Sequence, residues 1–575
     1  MSGCSFTKKL NRLRKSSSDS IDNTDIFDDF KRYMHVVRDA EEDLKTILRS
    51  IKETNRKTLV LLCGSAGDGK SHLLSYLKNA NQEGLLENYI VHNDATESSA
   101  PDKTAIETLY DLLSGYKDDN LEMPGKNVIL AINLGVLSNF IELEYGKEFK
   151  KLKDYVVKTN ILTSKVNDDD YNCNSHFQHI SFSDYHMFLI NKNGINPEYI
   201  EELFAKIIDE DENNPFNEAY KTDCKTCPLE SKCPVKMNYD FLRNAHVRHF
   251  MANMLIKVII KDKEILTTRE LLNYIYDIIV AQSFDFSRMQ KSSVNMSKFL
   301  KDYLDCIMPT IIFDSNDITT IMNRTQKYDP LLMRDEAADD VAIEYYVEED
   351  VSKTVNEYLV GSPYADILGT NKAIDVINED RALKSKVFNV LIRTKSMLTD
   401  ATDDKLFMEY ICDLYSYNAG KISGLSTLYS DIEEAVVNWC GNESEGNICI
   451  DDTHKGLSLY ENIDFEAYID NIPQEKQDEN LQRFLPYIVA EYQGNDGKPI
   501  HLDVDYSLYE LIKKLKAGYI QTAEDRNNHA DFISFISKML KTGSADKNII
   551  VLAEDGRKAV LEKTKFGVYK FKVVK

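Results

Sequence analysis

The sequence lacks any long hydrophobic run. Although 43% of its 575 residues are hydrophobic, none of its apolar stretches approaches the roughly 18 consecutive residues that a membrane-spanning helix needs. The first residues, MSGCSFTKKLNRLRK, also lack the apolar segment and the small-residue cleavage site of a secretory signal. We therefore expect no membrane span and a cytoplasmic location.

Positive charge is in the minority. Lys and Arg number 70 against 94 Asp and Glu, which gives a formal net charge of −24 at pH 7. This balance opposes non-specific attraction to nucleic acid or anionic membrane over most of the surface, so any DNA contact must be local or shared with a partner. The ten cysteines are unevenly spread, which argues against a disulfide framework in a cytosolic chain.

The length exceeds the size at which one hydrophobic core stops growing, and we expect three or four structural units. Short apolar runs alternate with helical periods between 58 and 183, which is typical of a parallel sheet covered on both faces. Together with the glycine-rich segment GSAGDGKS at 64–71, which follows the first apolar run, this pattern predicts an α/β P-loop NTPase core with an AAA-like parallel sheet, then a helical lid and a mainly α-helical C-terminal region with a terminal β-hairpin. The predicted boundaries are 1–50 for a basic, flexible tail and N-terminal helices, 51–200 for the core, 201–240 for a cysteine-rich metal-binding insertion, 241–345 for the lid, 346–545 for the helical C-terminal region and 546–575 for the hairpin.

Residues 64–71 match G-x-x-x-x-G-K-[ST] at every fixed position, between an apolar strand and a helical segment. Glycines let the backbone point its N–H groups at a β-phosphate, and the helix N-terminus adds its positive end. Lys70 would reach the β- and γ-phosphates and Ser71 would ligate Mg²⁺; a chance glycine-rich turn is the weaker alternative. The predicted ATP-binding residues are Gly64, Ser65, Ala66, Gly67, Asp68, Gly69, Lys70, Ser71 and His72.

Four residues are candidates for catalysis. The third predicted strand ends in Asn133, where an ordinary magnesium-binding strand carries Asp followed by Glu, and this asparagine is similar to the polar sensor that positions water in AAA-type ATPases. Asp94 and Glu97 follow the second strand. They either supply the acidic group that ATP hydrolysis needs for Mg²⁺ and the attacking water, or cap the next helix. Arg269, at the start of a predicted lid helix, either contacts the nucleotide or is a surface arginine beside a capping Thr267.

Three cysteines form the pattern C-x-x-C-P-x-x-x-x-C-P. Two thiolates separated by two residues can grip one ion from a single turn, as in zinc and iron–sulfur sites. A structural Zn²⁺ is modestly favoured over an iron–sulfur cluster, and three unligated thiols are the remaining alternative. A fourth ligand is required, for which His176 or His179 could substitute. The predicted metal ligands are Cys173, Cys224, Cys227 and Cys233.

Two basic segments are candidate contacts for DNA or a partner. Residues 381–395 hold five positive residues and no acid, but on a helix these residues do not form one phosphate-tracking stripe. Residues 557–575 hold seven basic residues against one Glu, with aromatic residues between them. A solvated surface is the commoner explanation of both segments.

The ordered set of LLCGSAGDGKSHLL, HNDATES followed by TAIETLYDLL, NVILAINLGVLSNF, the cysteine pattern and TTRELLNYIYDII resembles the DptF family. Its members are subunits of bacterial systems that restrict DNA lacking phosphorothioate modification. The resemblance covers about residues 25–345 strongly and the rest by length and general order. It implies an ATP-binding and ATP-hydrolysing component that works with two further restriction subunits on unmodified DNA. No nuclease motif is evident, so DNA cleavage would belong to a partner; homo-oligomerisation is left open.

Two other functions are consistent with the residues. One is a nucleotide-locked scaffold that never hydrolyses ATP, with Asn133 as the sign of lost catalysis. The other is a small-molecule P-loop kinase, which is disfavoured because the chain is much longer than such an enzyme needs.

Overall fold

The computed structural model describes residues 4–14, 28–54, 56–65, 67–79, 83–93, 104–162, 171–315, 319–333, 336–399, 404–441, 447–451, 456–462, 465–494, 498–541, 548–564, 566 and 568–574. The chain divides into two compact units, one of residues 1–188 and 197–403 and the other of residues 189–196 and 404–575. Two units are therefore present where the length suggested three or four, because the segments predicted as insertion and lid belong to the same unit as the parallel sheet.

The first unit contains a four-stranded, all-parallel sheet, as the alternating apolar runs predicted. Its strand order is β2 (Tyr89–His92), β3 (Asn127–Ile132), β1 (Leu59–Cys63) and β4 (Phe177–Ser181). Strand β1 is central, with Leu59 opposite Val128 on one side and Phe177 on the other. Side chains alternate between the two faces of β1, and all five of its residues are buried, so β1 is covered on both sides.

Helices surround this sheet and continue well beyond it. They are α1 (Ser5–Leu10), α2 (Asp29–Tyr33), α3 (Asp39–Lys52), α4 (Lys70–Asn79), α5 (Ala105–Leu112), α6 (Leu134–Glu142), α7 (Lys150–Lys158), α8 (Glu198–Ile208), α9 (Pro215–Asp223), α10 (Pro234–Leu242), α11 (Ala245–Lys261), α12 (Thr268–Ile279), α13 (Phe286–Ser292), α14 (Met296–Leu304), α15 (Met308–Asp314), α16 (Thr320–Thr325), α17 (Glu336–Val347), α18 (Ser352–Tyr358), α19 (Ala365–Leu368), α20 (Asn371–Glu379) and α21 (Arg381–Thr399).

The two faces of β1 belong to different hydrophobic clusters. Leu59, Leu61 and Cys63 pack with side chains from α5, α6 and α7. Val60 and Leu62 pack with side chains from α3 and α4. Helix α4 is therefore held against one face of the sheet by this hydrophobic cluster.

The N-terminal segment is not the flexible basic tail that its composition suggested. Phe6, Leu10 and Leu13 are buried, and they follow one another at helical spacings of four and three residues. Arg14 forms an ion pair with the buried Asp277. Residues 4–14 are thus a docked part of the first unit.

The chain passes into the second unit along β5 (Tyr185–Asn191), whose residues 189–191 pair with β6 (Gly194–Asn196). The helices of the second unit are α22 (Lys405–Asn418), α23 (Ser426–Cys440), α24 (Tyr506–Lys516), α25 (Ala523–Asn528) and α26 (Ala530–Lys541). Its further strands are β7 (Asn447–Asp451), β8 (Leu457–Asn462), β9 (Asn480–Arg483), β10 (Ile488–Gln493), β11 (Pro499–Val504), β12 (Ile549–Ala553), β13 (Lys558–Lys563) and β14 (Tyr569–Val574).

The region predicted to be mainly helical, 346–545, also contains strands in its second half, where β7 to β11 precede the helices α24 to α26. In β10 and β11 every second residue is buried, and the two strands pair antiparallel. This period of two is the signal for a half-buried strand.

The predicted terminal hairpin is confirmed and belongs to a larger antiparallel sheet. Its order is β14, β13, β12, β8 and β7. The turn between β12 and β13 contains the pair Asp555-Gly556, and Gly556 has φ +82°, in the left-handed region that an Asp-Gly pair favours in a short hairpin loop. Over the described part of the chain, no helix combines the length and apolarity that crossing a bilayer requires.

Candidate functional site

The glycine loop, residues 64–71, joins the central strand β1 to helix α4. It lies at the carboxyl edge of the parallel sheet, where ligands bind in open α/β folds. Gly67 has φ +94° and Gly69 has φ +96°, backbone conformations that residues with a Cβ rarely adopt. Ala66 lies outside the described residues. The loop therefore turns sharply at its two later glycines and leads directly into the N-terminus of α4.

Two contacts close the glycine loop on itself. The Asp68 Oδ2 accepts a hydrogen bond from the Ser65 N–H at 2.5 Å, and the Lys70 Nζ donates to the Ser65 carbonyl at 2.6 Å. Burial raises the pKa of Asp68, while the nearby Lys70 charge opposes that shift. The Asp68 carboxylate thus occupies one backbone donor of the loop. An anionic ligand would replace this carboxylate.

The N-terminus of α12 lies against the glycine loop. A Cβ added at Gly67 would lie 3.2 Å from the Thr267 Oγ1 and 3.5 Å from the Arg269 Cβ. Thr267 caps α12 in a reciprocal arrangement with Glu270. This cap was part of the alternative interpretation, in which Arg269 is a surface arginine. Arg269 nevertheless starts beside the loop, and within the described ranges its guanidinium has no hydrogen-bond or ion-pair partner.

Arg38 is a contact of the glycine loop that no sequence motif indicated. It lies just before α3 and donates to the Asp68 carbonyl at 3.1 Å and to the Tyr185 carbonyl at 2.9 Å. Its guanidinium also lies 5.3 Å from the centre of the Tyr199 ring. Because these partners are distant in sequence, only the folded chain reveals that Arg38 braces the loop.

Asn133 lies at the end of β3, the strand next to β1. Its Oδ1 accepts a hydrogen bond from the Val136 N–H at 2.7 Å, so the side chain caps α6. Its Nδ2 has no partner among the described residues and remains a donor at the sheet edge. Asp94 and Glu97 lie outside the described residues.

Asp184 is an acidic side chain near the loop that the sequence did not single out. It follows β4, on the other side of β1, and its Oδ1 accepts a hydrogen bond from the Ser181 Oγ at 3.1 Å. Burial is the main reason that the pKa of Cys63 is raised to about 12. The charge of Lys70 lowers this pKa, and the charge of Asp184 raises it. Asp184 and Lys70 are therefore both close to the end of β1.

His72 forms a pair with His35 beneath the glycine loop. The His35 Nδ1 and His72 Nε2 are 3.1 Å apart, so one ring donates and the other accepts. On its other side the His35 Nε2 lies 3.0 Å from a Glu41 carboxylate oxygen, and the His35 ring stacks on Tyr76. Burial, followed by the charge of His35, lowers the pKa of His72 to about 4. His72 is neutral at pH 7 and acts in packing the base of the loop.

The His72 pair predicts a loss of stability in mild acid. Because the pKa of His72 is about 4 in the folded chain and about 6.5 when unfolded, the unfolded chain binds more protons between these values. The contribution of His72 to the free energy of unfolding is present above pH 6.5. It decreases as the pH falls, by up to about 2 kcal/mol between pH 7 and pH 5. Urea unfolding at both pH values should show a smaller decrease for His72→Asn. An equal decrease in both proteins would contradict this assignment.

The cysteine pattern forms the connection between α9 and α10. A short 3-10 turn begins at Cys224 and ends just before Cys227, and Cys233 directly precedes α10. Cys224 and Cys233 are 8% and 7% exposed. Within the described ranges, no three thiol, imidazole or carboxylate groups meet the distance requirements of a metal site as they stand.

The other predicted metal ligands are placed differently. Cys173 is exposed on the turn before β4. His176 contacts the Lys57 carbonyl at 2.7 Å and Glu122 at 3.3 Å through its two ring nitrogens. The His179 Nδ1 lies 2.8 Å from the Tyr155 hydroxyl. Both histidines are thus engaged around the parallel sheet.

Comparison of the chain with protein-family models, curated proteins and solved structures gives no match.

Proposed function

We propose that this protein is the ATP-binding and ATP-hydrolysing subunit of a bacterial, cytoplasmic DNA restriction complex that acts on DNA lacking phosphorothioate modification. The observation that carries the nucleotide part is the glycine loop at the end of β1. It combines the complete sequence pattern, two left-handed glycines and Lys70 at the start of α4. Its position favours an AAA-like P-loop core. The DNA part rests on the resemblance of residues 25–345 to the DptF family.

The groups around the loop support distinct roles in nucleotide binding. Backbone donors and Lys70 would hold the phosphates, with displacement of the Asp68 carboxylate from the Ser65 N–H. Ser71 would hold Mg²⁺, which would screen the phosphate charge. The free Nδ2 of Asn133 suits a donor to water or phosphate, and Asp94 and Glu97 stay the proposed acidic residues.

Arg269 supports a lid function for α12. Its backbone lies beside Gly67, and its guanidinium is not committed to a protein partner within the described ranges. A phosphate anion is a strong partner for such a group because charge-assisted bonds to guanidinium are short and frequently bidentate. Nucleotide would thus help to hold the N-terminus of α12 against the loop.

The two basic segments differ in how many of their positive side chains are available for contact with DNA or another subunit. In residues 381–395, Arg393 is 2% exposed, and Lys386 pairs with Asp305 at 2.9 Å. In contrast, β14 is an edge strand on which every residue is exposed. Residues 557–574 are therefore the better candidate for contact with DNA or another subunit.

A phosphate-release assay on the purified full-length chain, with and without duplex DNA, tests the proposal. Steady release of phosphate supports an ATPase, and stimulation by DNA supports the restriction function. Stoichiometric ATP binding without release would select the nucleotide-locked scaffold. Failure to bind ATP with Mg²⁺ present would overturn the proposal.

Arg269→Ala is expected to weaken ATP binding by about 1.4 kcal/mol, a tenfold rise in Kd. The reason is the loss of one charged contact to phosphate, without loss of any hydrogen bond or ion pair to the described residues. Isothermal titration calorimetry measures the affinity, and thermal unfolding should be unchanged. Arg49→Ala, which removes an exposed pair with Glu83, is the matched control. Equal affinities in wild type and Arg269→Ala would leave Arg269 as a surface residue.

A further inference from the structure

Cys4 lies next to the cysteine pattern although 220 positions separate it from Cys224 in the sequence. It directly precedes α1, and the next residue, Ser5, donates from its Oγ to the Asp223 Oδ2 at 2.5 Å. Asp223 is the neighbour of Cys224. The backbone at Cys4 is therefore fixed beside the start of the C-x-x-C turn.

Aromatic packing holds the same two segments together. The Phe6 ring lies edge-on to Tyr220, with centroids 5.9 Å apart, and to Tyr239, with centroids 5.2 Å apart. Tyr220 belongs to α9 and Tyr239 to α10, the helices that flank the cysteine pattern. The placement of α1 is thus supported on both sides of Cys224, Cys227 and Cys233.

The cysteine pattern has the local geometry of a ligand turn. The Cys227 N–H donates to the Cys224 carbonyl at 3.0 Å, and the Leu229 N–H donates to the Cys227 Sγ at 3.4 Å. Cys233 is at the N-terminus of α10, where the helix dipole favours negative charge. Backbone N–H groups of residues 235 and 236 also bond to Cys233. Backbone N–H groups therefore face the sulfurs of Cys227 and Cys233.

The four thiols are close enough to affect one another. Burial raises the pKa of Cys224 to about 12, and the charges of Cys233, Cys4 and Cys227 contribute in that order. Cys173 is not among these neighbours. Rotation about χ1 moves a cysteine sulfur by about 3 Å, so side-chain rotation alone can tighten the group.

We propose that Cys4, Cys224, Cys227 and Cys233 form a four-thiolate Zn²⁺ site that fastens α1 to α9 and α10. The four sulfurs release four protons and bind one Zn²⁺ in a tetrahedral arrangement, with no change in oxidation state. Cys4 replaces Cys173 as the fourth ligand. The site has a structural role because all four positions are filled by protein, which leaves none for a reacting water.

Metal analysis of the full-length chain, purified without air, tests the site. Wild type and Cys173→Ser should each contain about one zinc per chain, whereas Cys227→Ser should lose most of it. After chelation, hydrogen exchange in residues 4–14 should rise in wild type. Metal-free wild type that takes up no added Zn²⁺ would overturn the proposal, as would a visible absorption band from iron–sulfur. Equal zinc loss in Cys173→Ser would restore Cys173 as the ligand.

Cys4→Ser tests the fourth position even if three thiolates retain the metal. In cadmium-substituted protein, the ultraviolet thiolate-to-metal absorption should fall by about one quarter, because one of four sulfur ligands is lost. Competition with a chelator should show at least tenfold weaker zinc binding. Cys63→Ala is the control, since Cys63 is buried in β1. Unchanged absorption and zinc affinity in Cys4→Ser would exclude Cys4 from the site.

Discussion

Lys70→Ala is expected to weaken ATP binding by about 2 kcal/mol, or roughly thirtyfold in Kd. The ammonium of Lys70 is a positive charge of the glycine loop, and it donates a hydrogen bond to the Ser65 carbonyl at 2.6 Å. A phosphate offers a charged acceptor in place of that neutral one, so the substitution removes an interaction that strengthens when ligand binds. Isothermal titration calorimetry with ATP and Mg²⁺ measures the change.

Lys78→Ala provides the matched control for Lys70→Ala. It removes the same charge from the same helix, α4, but from the last turn instead of the first. Its ATP affinity should equal that of wild type within about twofold, because helix-end charges act over short distances at physiological salt. If both variants bind ATP like wild type at unchanged thermal stability, the glycine loop has no role in nucleotide binding.

The features that the sequence predicted well are those encoded by neighbouring residues. The apolar run before Gly64 fixes β1, and its residues alternate between two hydrophobic clusters. The Asp555-Gly556 pair predicts its turn because a short loop there needs a left-handed residue. The Thr267 cap was equally visible, since capping depends on residues three positions apart. Each of these signals acts within a few residues of chain.

The features that the sequence did not predict depend on packing between distant segments. Arg38 reaches Asp68 and Tyr185 only after α3 and the sheet have come together. Ser5 bonds to Asp223, and so places Cys4 beside the cysteine pattern, because α1 buries Phe6 and Leu10. The basic residues around α1 indicated a solvated tail, and its three buried positions were too few to outweigh that composition. In β10 and β11 the period-two pattern was present but was assigned to a helical region.

Arg393→Ala is expected to lower the free energy of unfolding by about 3–5 kcal/mol. Arg393 lies on α21, the segment whose positive residues suggested a DNA contact, but its guanidinium faces the protein interior. It donates to both carboxylate oxygens of Asp329, at 3.0 and 2.6 Å, and to both of Asp314, at 2.7 and 2.6 Å. Asp329 is only 7% exposed. Removal of the arginine leaves that carboxylate buried without a counter-charge.

Lys386→Ala on the same helix separates this effect from a general loss of positive charge. Lys386 pairs with Asp305 at 2.9 Å, and both side chains are about half exposed, so its loss should cost less than about 1 kcal/mol. Urea unfolding of both variants at pH 7 gives the comparison. Arg393→Ala paired with Asp329→Asn should recover part of the lost stability, because a neutral amide tolerates burial better than an unpaired carboxylate. Equal stabilities for Arg393→Ala and Lys386→Ala would mean that the buried pairs contribute no more than surface ones, and residues 381–395 would again be candidates for binding DNA.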